Sequence, residues 1–396
     1  MNKYDVVIIG GSMVGLSLAA LLSKNHFSVA VVEAKEMRFT HDALSGRVSA
    51  IHNTSQQLFD YLDIWKIISP HATPLFEMKI WDHTQNANLH FDSAEINRTQ
   101  MGWIVPNHII IESLYKKLVD INFYTPNFPE KFVHENNQII ITLNNHEKIE
   151  ANLIVGADGA NSCVRKHMQI DTQIRSYQQK SIIAVIESHL AHHHTAYQKF
   201  LTSGPVALLP LENQHHTALV WSADHPVSDA LMQKTDADFS QALTEALDFK
   251  LGKLKVISDR SQFVLTMRHA EEYAVDHFAL AGDAAHTIHP LAGLGVNLGL
   301  MDAACLTDIL TQAREKKKNI GELRILRRYT RWRKTENTNV IYAMRLLKEV
   351  FALDTTTSNV IRSLGINTID QCALIKNKLM TIASGQSNDL PLFLQK

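Results

Sequence analysis

Close to the amino terminus, the chain carries a glycine-rich turn of a type that approaches phosphate groups. Gly10, Ser12 and Gly15 occupy the glycine positions of a G-x-G-x-x-G fingerprint, with Ser12 in place of the second glycine. Such a turn brings the backbone close to a pyrophosphate, and the helix that follows directs unpaired N–H groups at the anion. The serine adds a small side chain at the closest approach, where its hydroxyl could donate to a phosphate. A turn of purely structural use is the alternative.

The residues around this turn favour the binding of an adenine dinucleotide. Met13 and Val14 begin the helical pattern that follows the turn. Glu33 closes the next apolar run, at the position where an acidic side chain binds ribose hydroxyls. Turn, helix and acidic residue together predict a dinucleotide site.

Two later clusters have a similar chemical character. One, at residues 156–165, reads GADGANSCVR and has Asp158 and Arg165 as its charged members. The other begins at Gly282 and Asp283 and continues into GVNLGLMD at residues 295–302. Each also has a structural interpretation, since Asp283 could simply cap a helix and the glycines could simply let backbones pack.

The glycine-rich turn and the two later clusters follow one another in the order seen in a known family. With them, the chain resembles the FAD-dependent aromatic hydroxylases of the p-hydroxybenzoate hydroxylase type, and within them the ubiquinone-biosynthesis hydroxylases. The resemblance spans essentially the whole chain. It implies bound FAD, with NADPH or NADH as a transient co-substrate. It also implies hydroxylation of a small aromatic molecule by O2 through a C4a-hydroperoxyflavin, the substrate being a polyprenyl phenol or quinol of ubiquinone biosynthesis.

The resemblance implies roles for individual residues as well. Asp283 would accept hydrogen bonds from the ribityl chain of FAD, while Asp158 and Arg165 would lie near both FAD and the reduced nicotinamide. Arg47 and Asn107 match family positions that reach the cofactor. The implied cofactor-binding set is Gly10, Ser12, Met13, Val14, Gly15, Glu33, Arg47, Asn107, Asp158, Arg165, Gly282, Asp283, Gly295, Val296 and Asn297.

Four residues are implied in catalysis. Gly295 and Val296 open an apolar helix whose amides and dipole would stabilise the anionic reduced flavin. The backbone carbonyl of Pro290 would face the substrate. His286 is a candidate general base because imidazole titrates near neutrality, although the family histidine is chiefly structural. The resemblance identifies no other acid or base that would act on the phenol.

Other functions remain open on this scaffold. The same fold supports epoxidases, reductases and halogenases. A non-catalytic FAD-binding subunit of a biosynthetic complex is a further alternative. Pro106 and Leu294 stand where the ubiquinone hydroxylases have Glu and Gln, so two departures from the family pattern fall near the expected substrate.

The elements that must position these residues are those of an α/β protein. Apolar runs at residues 4–9 and 28–32 flank a helical pattern, and their continuous apolar character indicates a buried parallel sheet. Short strand-like runs between 182 and 267 indicate a second sheet. We therefore predict a Rossmann-like FAD-binding domain, an inserted mixed or antiparallel β-sheet substrate domain and a helical C-terminal region. The predicted divisions are 1–75, 98–178 and 272–340 for the first, 76–97 and 179–271 for the second, and 341–396 for the third.

Composition excludes several classes of protein. The chain has 396 residues, enough for two or three domains, and its net charge of −1 offers no general attraction for nucleic acid. Its three cysteines favour a reducing compartment. Its apolar stretch at 13–22 is too short to span a membrane, and Asp5 argues against a signal peptide. A cytoplasmic protein is expected. No metal is expected either, because the adjacent histidines at 192–194 and 215–216 would point to opposite faces of a strand.

One segment departs strongly from neutrality. Residues 314–334 contain ten Lys or Arg residues against Glu315 and Glu322, a net charge of +8. A solvated helical face is the simplest interpretation. An anionic membrane surface or an acidic partner is the alternative, with peripheral association at the inner membrane or in a biosynthetic complex. Leu346, Leu347, Phe351 and Leu353 follow as candidate apolar contacts.

Overall fold

A computed structural model describes residues 1–37, 39, 47–84, 88–135, 137–288, 293, 295–352 and 389–395, with only the backbone for 343–352. In chain order, the elements of the first half are β1 (Asn2–Ile9), α1 (Met13–Lys24), β2 (Val29–Val32), β3 (Val48–Ile51), α2 (Asn53–Tyr61), α3 (Trp65–Ile68), β4 (Thr73–Leu75), β5 (Glu77–Asp82), β6 (Asn88–Asp92), β7 (Gly102–Pro106), α4 (Asn107–Lys117), β8 (Asn122–Tyr124), β9 (Pro129–Glu135), β10 (Gln138–Leu143), β11 (Lys148–Gly156) and α5 (Cys163–His167). Those of the second half are β12 (Thr172–Ser188), β13 (Thr195–Leu201), β14 (Gly204–Pro210), β15 (His216–Asp224), α6 (His225–Gln233), α7 (Asp236–Ala246), β16 (Leu254–Val256), β17 (Ser261–Ala270), β18 (Ala274–Val275), β19 (Phe278–Leu280), β20 (His286–Thr287), α8 (Gly295–Glu315) and α9 (Leu323–Ala352).

The first sheet has a parallel centre. Within the described residues its strand order is β18-β19-β11-β1-β2-β8, and the β9–β10 hairpin joins the edge of β11. β1 runs parallel to both β11 and β2, so that Val6 pairs with Leu153 on one side and Val29 on the other. Residues 6–9 of β1 are all buried, which explains their continuous apolar run.

The second sheet is mostly antiparallel. Its order in the described chain is β20-β17-β12-β15-β14-β13-β5-β6, with β16 beside β12. β13 and β5 form a parallel pair inside it. A separate small core, which includes Trp221 and Phe239, packs on this sheet. These two sheets confirm the predicted α/β fold class with a mixed second sheet.

The predicted domain limits fall within regular elements. β12 is one strand that crosses the limit at 178/179, and its pairing with β17 shifts register between Ser176 and Gln179. α9 likewise crosses the limit at 340/341. The division into domains remains a prediction.

The C-terminal part of the described chain is helical, as expected. α8 starts at Gly295, where the sequence places the start of an apolar helix, and reaches Glu315. Among the described helices, none is both long enough and apolar enough to cross a membrane. Leu353 lies outside the described residues, and the side chains of Leu346, Leu347 and Phe351 are not described.

Candidate active site

A cleft of about 750 Å³ lies where several parallel strands end. Ile9, Val32 and Ala157, at or just after the carboxyl ends of β1, β2 and β11, form part of its wall. This edge of an open α/β sheet is the general location of ligand sites. Of the predicted site residues, the cleft is lined by Gly10, Ser12, Met13, Val14, Glu33, Asp158, Asp283, Gly295 and Val296.

The glycine turn is held tightly against its neighbours. Gly10 has a φ of +114°, and a Cβ there would lie 2.3 Å from the carbonyl oxygen of Ala157. A Cβ at Gly15 would lie 1.9 Å from the carbonyl oxygen of Gly10. Both glycines are thus required for packing. Ser12, with an ordinary φ of −94°, precedes α1, and its exposed side chain makes no capping hydrogen bond.

The start of α1 and Glu33 form one end of the cleft. Hydrogen bonding within α1 begins with the N–H of Leu16, which donates to the carbonyl of Ser12, so the preceding amides lack intrahelical partners. Glu33 accepts hydrogen bonds from the N–H groups of Gly11, at 2.6 Å, and Lys35, at 2.9 Å. A carboxylate has further lone pairs with which to accept from hydroxyls.

Asp158 offers the cleft an uncommitted acceptor. Its Oδ2 accepts from the N–H of Cys163 at 2.7 Å, whereas its buried Oδ1 has no hydrogen-bond partner among the described residues. Burial and the neighbouring Asp158 raise the pKa of the Cys163 thiol to about 12, so this thiol stays protonated at neutral pH. Arg165 is buried and donates to the carbonyls of Ala284, at 2.6 Å, and Ala160, at 2.7 Å. Arg165 therefore ties two loops of the cleft together.

Asp283 lies on the other side of the cleft, in a short 3₁₀ turn after β19. Its side chain is reached by solvent, and no described residue hydrogen-bonds its carboxylate. The cleft walls displace much of its hydration and so raise the pKa of this carboxyl, while the positive charges of His286 and Arg268 offset part of the effect. Asp283 is thus placed to accept hydrogen bonds from a ligand.

A buried polar network holds the loop that carries Asp283. Asp302, on α8, accepts hydrogen bonds through one oxygen from the N–H of Gly282, at 3.0 Å, and from Nε2 of His286, at 2.6 Å. Its other oxygen accepts from Nε of Arg333 at 2.8 Å and Nδ2 of Asn337 at 3.2 Å. All of these groups are buried.

The charges in this network determine its protonation. Burial alone would raise the pKa of Asp302, but the charges and hydrogen bonds of His286 and Arg333 lower it to about 2. Asp302 is therefore ionised throughout the physiological range. Arg333, which the charge count assigns to the basic stretch, is buried with only 2% of its side chain exposed, so its place in a surface patch is corrected.

The start of α8 is fixed by Asn297. Its Oδ1 accepts from the N–H of His52 at 3.0 Å and the hydroxyl of Ser55 at 2.8 Å. Its Nδ2 donates to the carbonyls of Ala50, at 2.7 Å, and Gly293, at 3.2 Å. The buried Asn297 thus aims the helix N-terminus, while Gly295 and Val296 line the cleft itself.

Two predicted residues stand behind the cleft wall. Asn107 accepts from the hydroxyl of Ser49, a cleft-lining residue, at 2.7 Å. Its N–H donates to the carbonyl of Arg47 at 3.0 Å, and the Arg47 side chain is exposed. Neither Arg47 nor Asn107 is among the described lining residues.

The predicted catalytic residues are only partly brought together. His286 is buried against Asp302 and does not line the cleft, a position that suits holding the Asp283 loop rather than meeting a substrate. Pro290 lies outside the described residues. Sequence reasoning missed the wall segment at residues 127–129, which carries no motif. It also missed Arg333, whose signal was Asp302, an acidic residue inside an otherwise apolar helical stretch.

A second groove, of about 480 Å³, lies beside the cleft. β3 and β7 separate the two, because Val48 lines the cleft and its strand partner Pro106 lines the groove. The remaining walls come from β4 and the residues before it, from the start of α4, from the second sheet and from the turn between β14 and β15. The lining residues are His71, Thr73, Ile104, Pro106, His108, Ile109, Val185, Leu211, Glu212, Asn213 and His216.

The residues of the cleft fit FAD. The orphaned oxygen of Asp158 and the carboxylate of Asp283, which no described residue hydrogen-bonds, supply acceptors for hydroxyl groups, and Glu33 lines the same cleft. Two helix N-termini supply N–H donors and favour negative charge. The fold and this cleft define a flavin-dependent oxidoreductase.

Comparison with known proteins identifies the family. The model of the FAD binding domain family matches residues 3–341, and the chain belongs to that family. Ubiquinone biosynthesis monooxygenase COQ6, mitochondrial, of Rattus norvegicus is 30% identical over 437 residues, which cover 97% of this chain and 91% of that protein. Ubiquinone hydroxylase UbiL of Rhodospirillum rubrum is 29% identical over 385 residues, which cover 96% and 89%. These relatives confirm the predicted resemblance and the enzyme class, an FAD-dependent monooxygenase.

Solved structures show the same fold. Crystalline p-nitrophenol 4-monooxygenase PnpA from Pseudomonas putida DLL-E4 has a TM-score of 0.79 at 17% identity, and the match covers 98% of this chain and 100% of that one. PqsL of Pseudomonas aeruginosa, titled a probable FAD-dependent monooxygenase, has a TM-score of 0.73 at 19% identity, with 93% and 100% covered.

Proposed function

We propose that the protein hydroxylates the aromatic ring of a polyprenyl phenol or quinol in ubiquinone biosynthesis, with O2 as oxidant and NADPH or NADH as reductant. The observation that carries the proposal is the match to ubiquinone hydroxylases over nearly the full length of the chain. FAD, when bound, supplies the redox and oxygen-activating chemistry. The protein binds and orients the cofactor and the substrate and shields them from water.

The cleft residues divide this work among them. The start of α1 binds the pyrophosphate and Glu33 the ribose hydroxyls. Asp158 and Asp283 accept hydrogen bonds from the ribityl side. Gly295 and Val296 present the N-terminus of α8 to negative charge that develops on the flavin ring, a preorganised electrostatic stabilisation. Asn297, Arg165, Asn107 and His286 keep these groups in place.

We assign the aromatic substrate to the second groove. It adjoins the cleft across β3 and β7, and its walls combine the apolar Ile104, Val185 and Leu211 with polar groups at one side. Pro106, a departure from the pattern of the ubiquinone hydroxylases, lines it. A ring held here would lie next to the cleft.

The same groove supplies candidates for the missing acid or base. His71, His108 and His216 line it together with Glu212. His216 begins β15 and pairs with Glu187, on the face of the sheet that also carries Val185. A strand position fixes a side chain more firmly than the exposed turn that holds His71. We propose that His216 accepts the proton of the substrate hydroxyl.

The test of the function begins with purified protein and its flavin spectrum. Polyprenyl phenols and quinols of several ring patterns are added, and substrate-stimulated NAD(P)H oxidation is followed together with incorporation of ¹⁸O from ¹⁸O2 into the product. Incorporation of one oxygen atom into the ring supports the proposal. Oxidised nicotinamide without ring oxygen would favour a reductase, and bound FAD without any turnover would favour a non-catalytic subunit.

The groove assignment has its own test. Leu211→Trp should fill the groove and abolish substrate-stimulated NAD(P)H oxidation while FAD stays bound. Leu190→Trp is the matched control, because Leu190 is exposed in the same sheet domain and lines neither cavity. His216→Ala should lower kcat at least tenfold, as loss of a general base does, with little change in FAD binding. Unchanged kcat would remove His216 from the reaction.

We further propose that the enzyme docks on an anionic membrane surface through α9. Arg324, Arg327, Arg331 and Lys334 recur on one face of this helix and line a groove of about 670 Å³. The buried hydroxyl of Thr330 in the same groove has no partner among the described residues. Basic residues near an anionic leaflet contribute about 1 kcal/mol each.

Sedimentation with anionic vesicles at low and high salt tests this docking. The variant Arg324→Gln/Arg327→Gln/Arg331→Gln should lose most binding at low salt. The control variant Lys316→Gln/Lys317→Gln/Lys318→Gln removes the same charge outside the groove and should retain it. Equal loss of vesicle binding in both variants would mean that only the net charge matters, which contradicts docking through this face. If the wild type does not bind the vesicles, the basic residues simply form a solvated helical face.

A further inference from the structure

Three side chains that commonly bind metals meet at the start of β19. His134 lies on β9, and Asp276 and His277 form the turn between β18 and β19. One donor atom from each lies within 4.8 Å of the other two. In the described part of the chain, this is the group of histidine, cysteine and acidic residues arranged to hold an ion.

The His277 imidazole is already oriented as a ligand. The ring is fully buried, and its Nδ1 lies 2.6 Å from the carbonyl oxygen of Asn152. A carbonyl only accepts, so Nδ1 carries a proton, and in the tautomer protonated there alone Nε2 presents a lone pair. Metal-binding histidines characteristically have this hydrogen bond from the other ring nitrogen to a carbonyl.

Gly321 packs directly on that hydrogen bond. A Cβ at Gly321 would lie 2.3 Å from Nδ1 of His277 and 2.4 Å from the carbonyl oxygen of Asn152. Its carbonyl accepts the N–H of His277 at 2.7 Å. The φ of His277 is +63°, a conformation that a non-glycine residue keeps only where its surroundings impose it. The ring is held rigidly from behind.

Nε2 of His277 faces two further oxygen atoms. Oδ1 of Asn137 lies 3.3 Å away and Oδ2 of Asp276 lies 3.8 Å away. Oδ1 of Asp276 accepts from the N–H of Leu323 at 3.0 Å, which leaves Oδ2 turned to the histidine. The exposed His134 ring stands edge-on to His277, with centroids 4.9 Å apart. In the tautomer with Nδ1 alone protonated, the lone pairs of these atoms point to one region, where they would coordinate a cation.

We propose that His134, Asp276 and His277 bind a divalent transition-metal ion, with Zn²⁺ as the best match. Two imidazoles and a carboxylate at about 2.0–2.2 Å are ordinary zinc ligands, and Asn137 or water completes a tetrahedron. The surface position of His134 lets its side chain rotate inward to reach these distances. The ion would join β9, the turn before β19 and, through Asp276, the start of α9.

This site differs from the histidine tracts that stand out in the sequence. Nε2 of His192 already pairs with the carbonyls of Leu211 and Asn213, at 3.0 and 3.1 Å, and Nδ1 of His215 pairs with the carbonyl of Ser188 at 2.9 Å. Both ring nitrogens of His192 are therefore engaged, since its Nδ1 also accepts from the N–H of His194 at 3.0 Å. The proposed ligands come from distant parts of the sequence and do not depend on the flavin site.

Calorimetric titration of untagged, chelator-treated protein with ZnCl2 tests the site, with CoCl2 absorption as a second measurement. We expect one ion per chain, a rise in Tm on zinc addition and a tetrahedral cobalt spectrum. His134→Ala and Asp276→Asn should each weaken binding at least tenfold and remove the rise in Tm. His189→Ala, an exposed histidine outside the cluster, should bind as the wild type does.

Two outcomes would overturn the proposal. One is no stoichiometric binding by the wild type, and the other is unchanged binding by His134→Ala. Either would mean that Nε2 of His277 simply accepts a hydrogen bond from the side-chain amide of Asn137 in its flipped orientation. Because His134 is exposed, its replacement should leave the fold intact even where that of the buried His277 does not.

Discussion

Asp283 lies on the turn after β19 and Asp302 lies on α8, and the two carboxylates occupy opposite environments. Asp283 faces the cleft with no hydrogen-bond partner among the described residues, and its pKa is raised. Asp302 is buried, accepts four hydrogen bonds and has a pKa of about 2. Gly282, the residue before Asp283, connects the two because its N–H donates to Asp302.

The difference distinguishes a carboxylate that is available to bind a ligand from one that stabilises the fold. A buried ionised group is stable only with its partners in place, so Asp302 commits every acceptor to the protein. Asp283 leaves its acceptors uncommitted at a cost in hydration, which a ligand with hydroxyl groups would restore. We expect changes at Asp302 to affect folding first and changes at Asp283 to affect FAD first.

The largest effect is expected from Arg333→Met. It leaves Asp302 buried without one of its two cationic partners, and breaking a buried pair from one side costs about 3–5 kcal/mol. Urea denaturation should show that loss in the free energy of unfolding. Arg327→Met on the same helix is the control; its side chain is exposed, so the change should stay within about 0.5 kcal/mol. Equal small losses in both variants would contradict the central role of the network.

A smaller effect, on the cofactor and not on the fold, is expected from Asp283→Ala. Loss of a charge-assisted hydrogen bond should weaken FAD binding by about 1.5–3 kcal/mol, roughly tenfold to 150-fold. The apoprotein should remain as stable as the wild type, or become more stable, because an unpartnered carboxylate is removed. Flavin fluorescence titration and urea denaturation measure the two quantities. Full FAD occupancy of this variant after extensive dialysis would refute the role of Asp283.

The pH dependence of stability should separate the two carboxylates. The pKa of Asp302 is lower in the folded chain than the value of about 3.9 in an unfolded one, so its contribution is present above pH 4 and is lost as the pH falls towards 2. Asp283 acts in the opposite direction, since a raised pKa favours folding at lower pH. The difference in unfolding free energy between the wild-type apoprotein and Asp302→Asn should shrink below pH 4. A constant difference would contradict the lowered pKa.

The smallest effect is expected from Ser12→Gly. Its side chain is exposed beside the start of α1 and makes no capping hydrogen bond, so its removal restores the open approach to a pyrophosphate. FAD affinity should stay the same or increase. A loss beyond about tenfold, or about 1.4 kcal/mol, would show that the Ser12 hydroxyl binds the phosphate directly.

Much of this molecule was accessible to pattern analysis. The run before Gly10, the helical spacing after Met13 and the second run to Val32 predicted the first βαβ unit, because a strand buried on both faces must be apolar throughout. The start of α8 at Gly295 followed from the glycine turn before an apolar helical pattern. The order of the three clusters was sufficient to identify the family.

The tertiary contacts of the individual side chains were harder to predict from the sequence. Arg333 was counted as one of ten charges on a basic stretch, since spacing on a helix does not say which charge faces a buried carboxylate. His286 was a candidate base beside a chiefly structural role, and its pairing with Asp302 depends on how α8 packs against the turn that carries Asp283.

The sequence by itself determined the fold class, the dinucleotide turn and the family, because strand and helix periodicity and short motifs are local properties of the chain. The tertiary structure alone decided which arginine is buried, that Asp302 is enclosed by its partners, and that His134 meets His277. Those outcomes depend on contacts between segments far apart in sequence, where burial and neighbouring charges set the energy of each group.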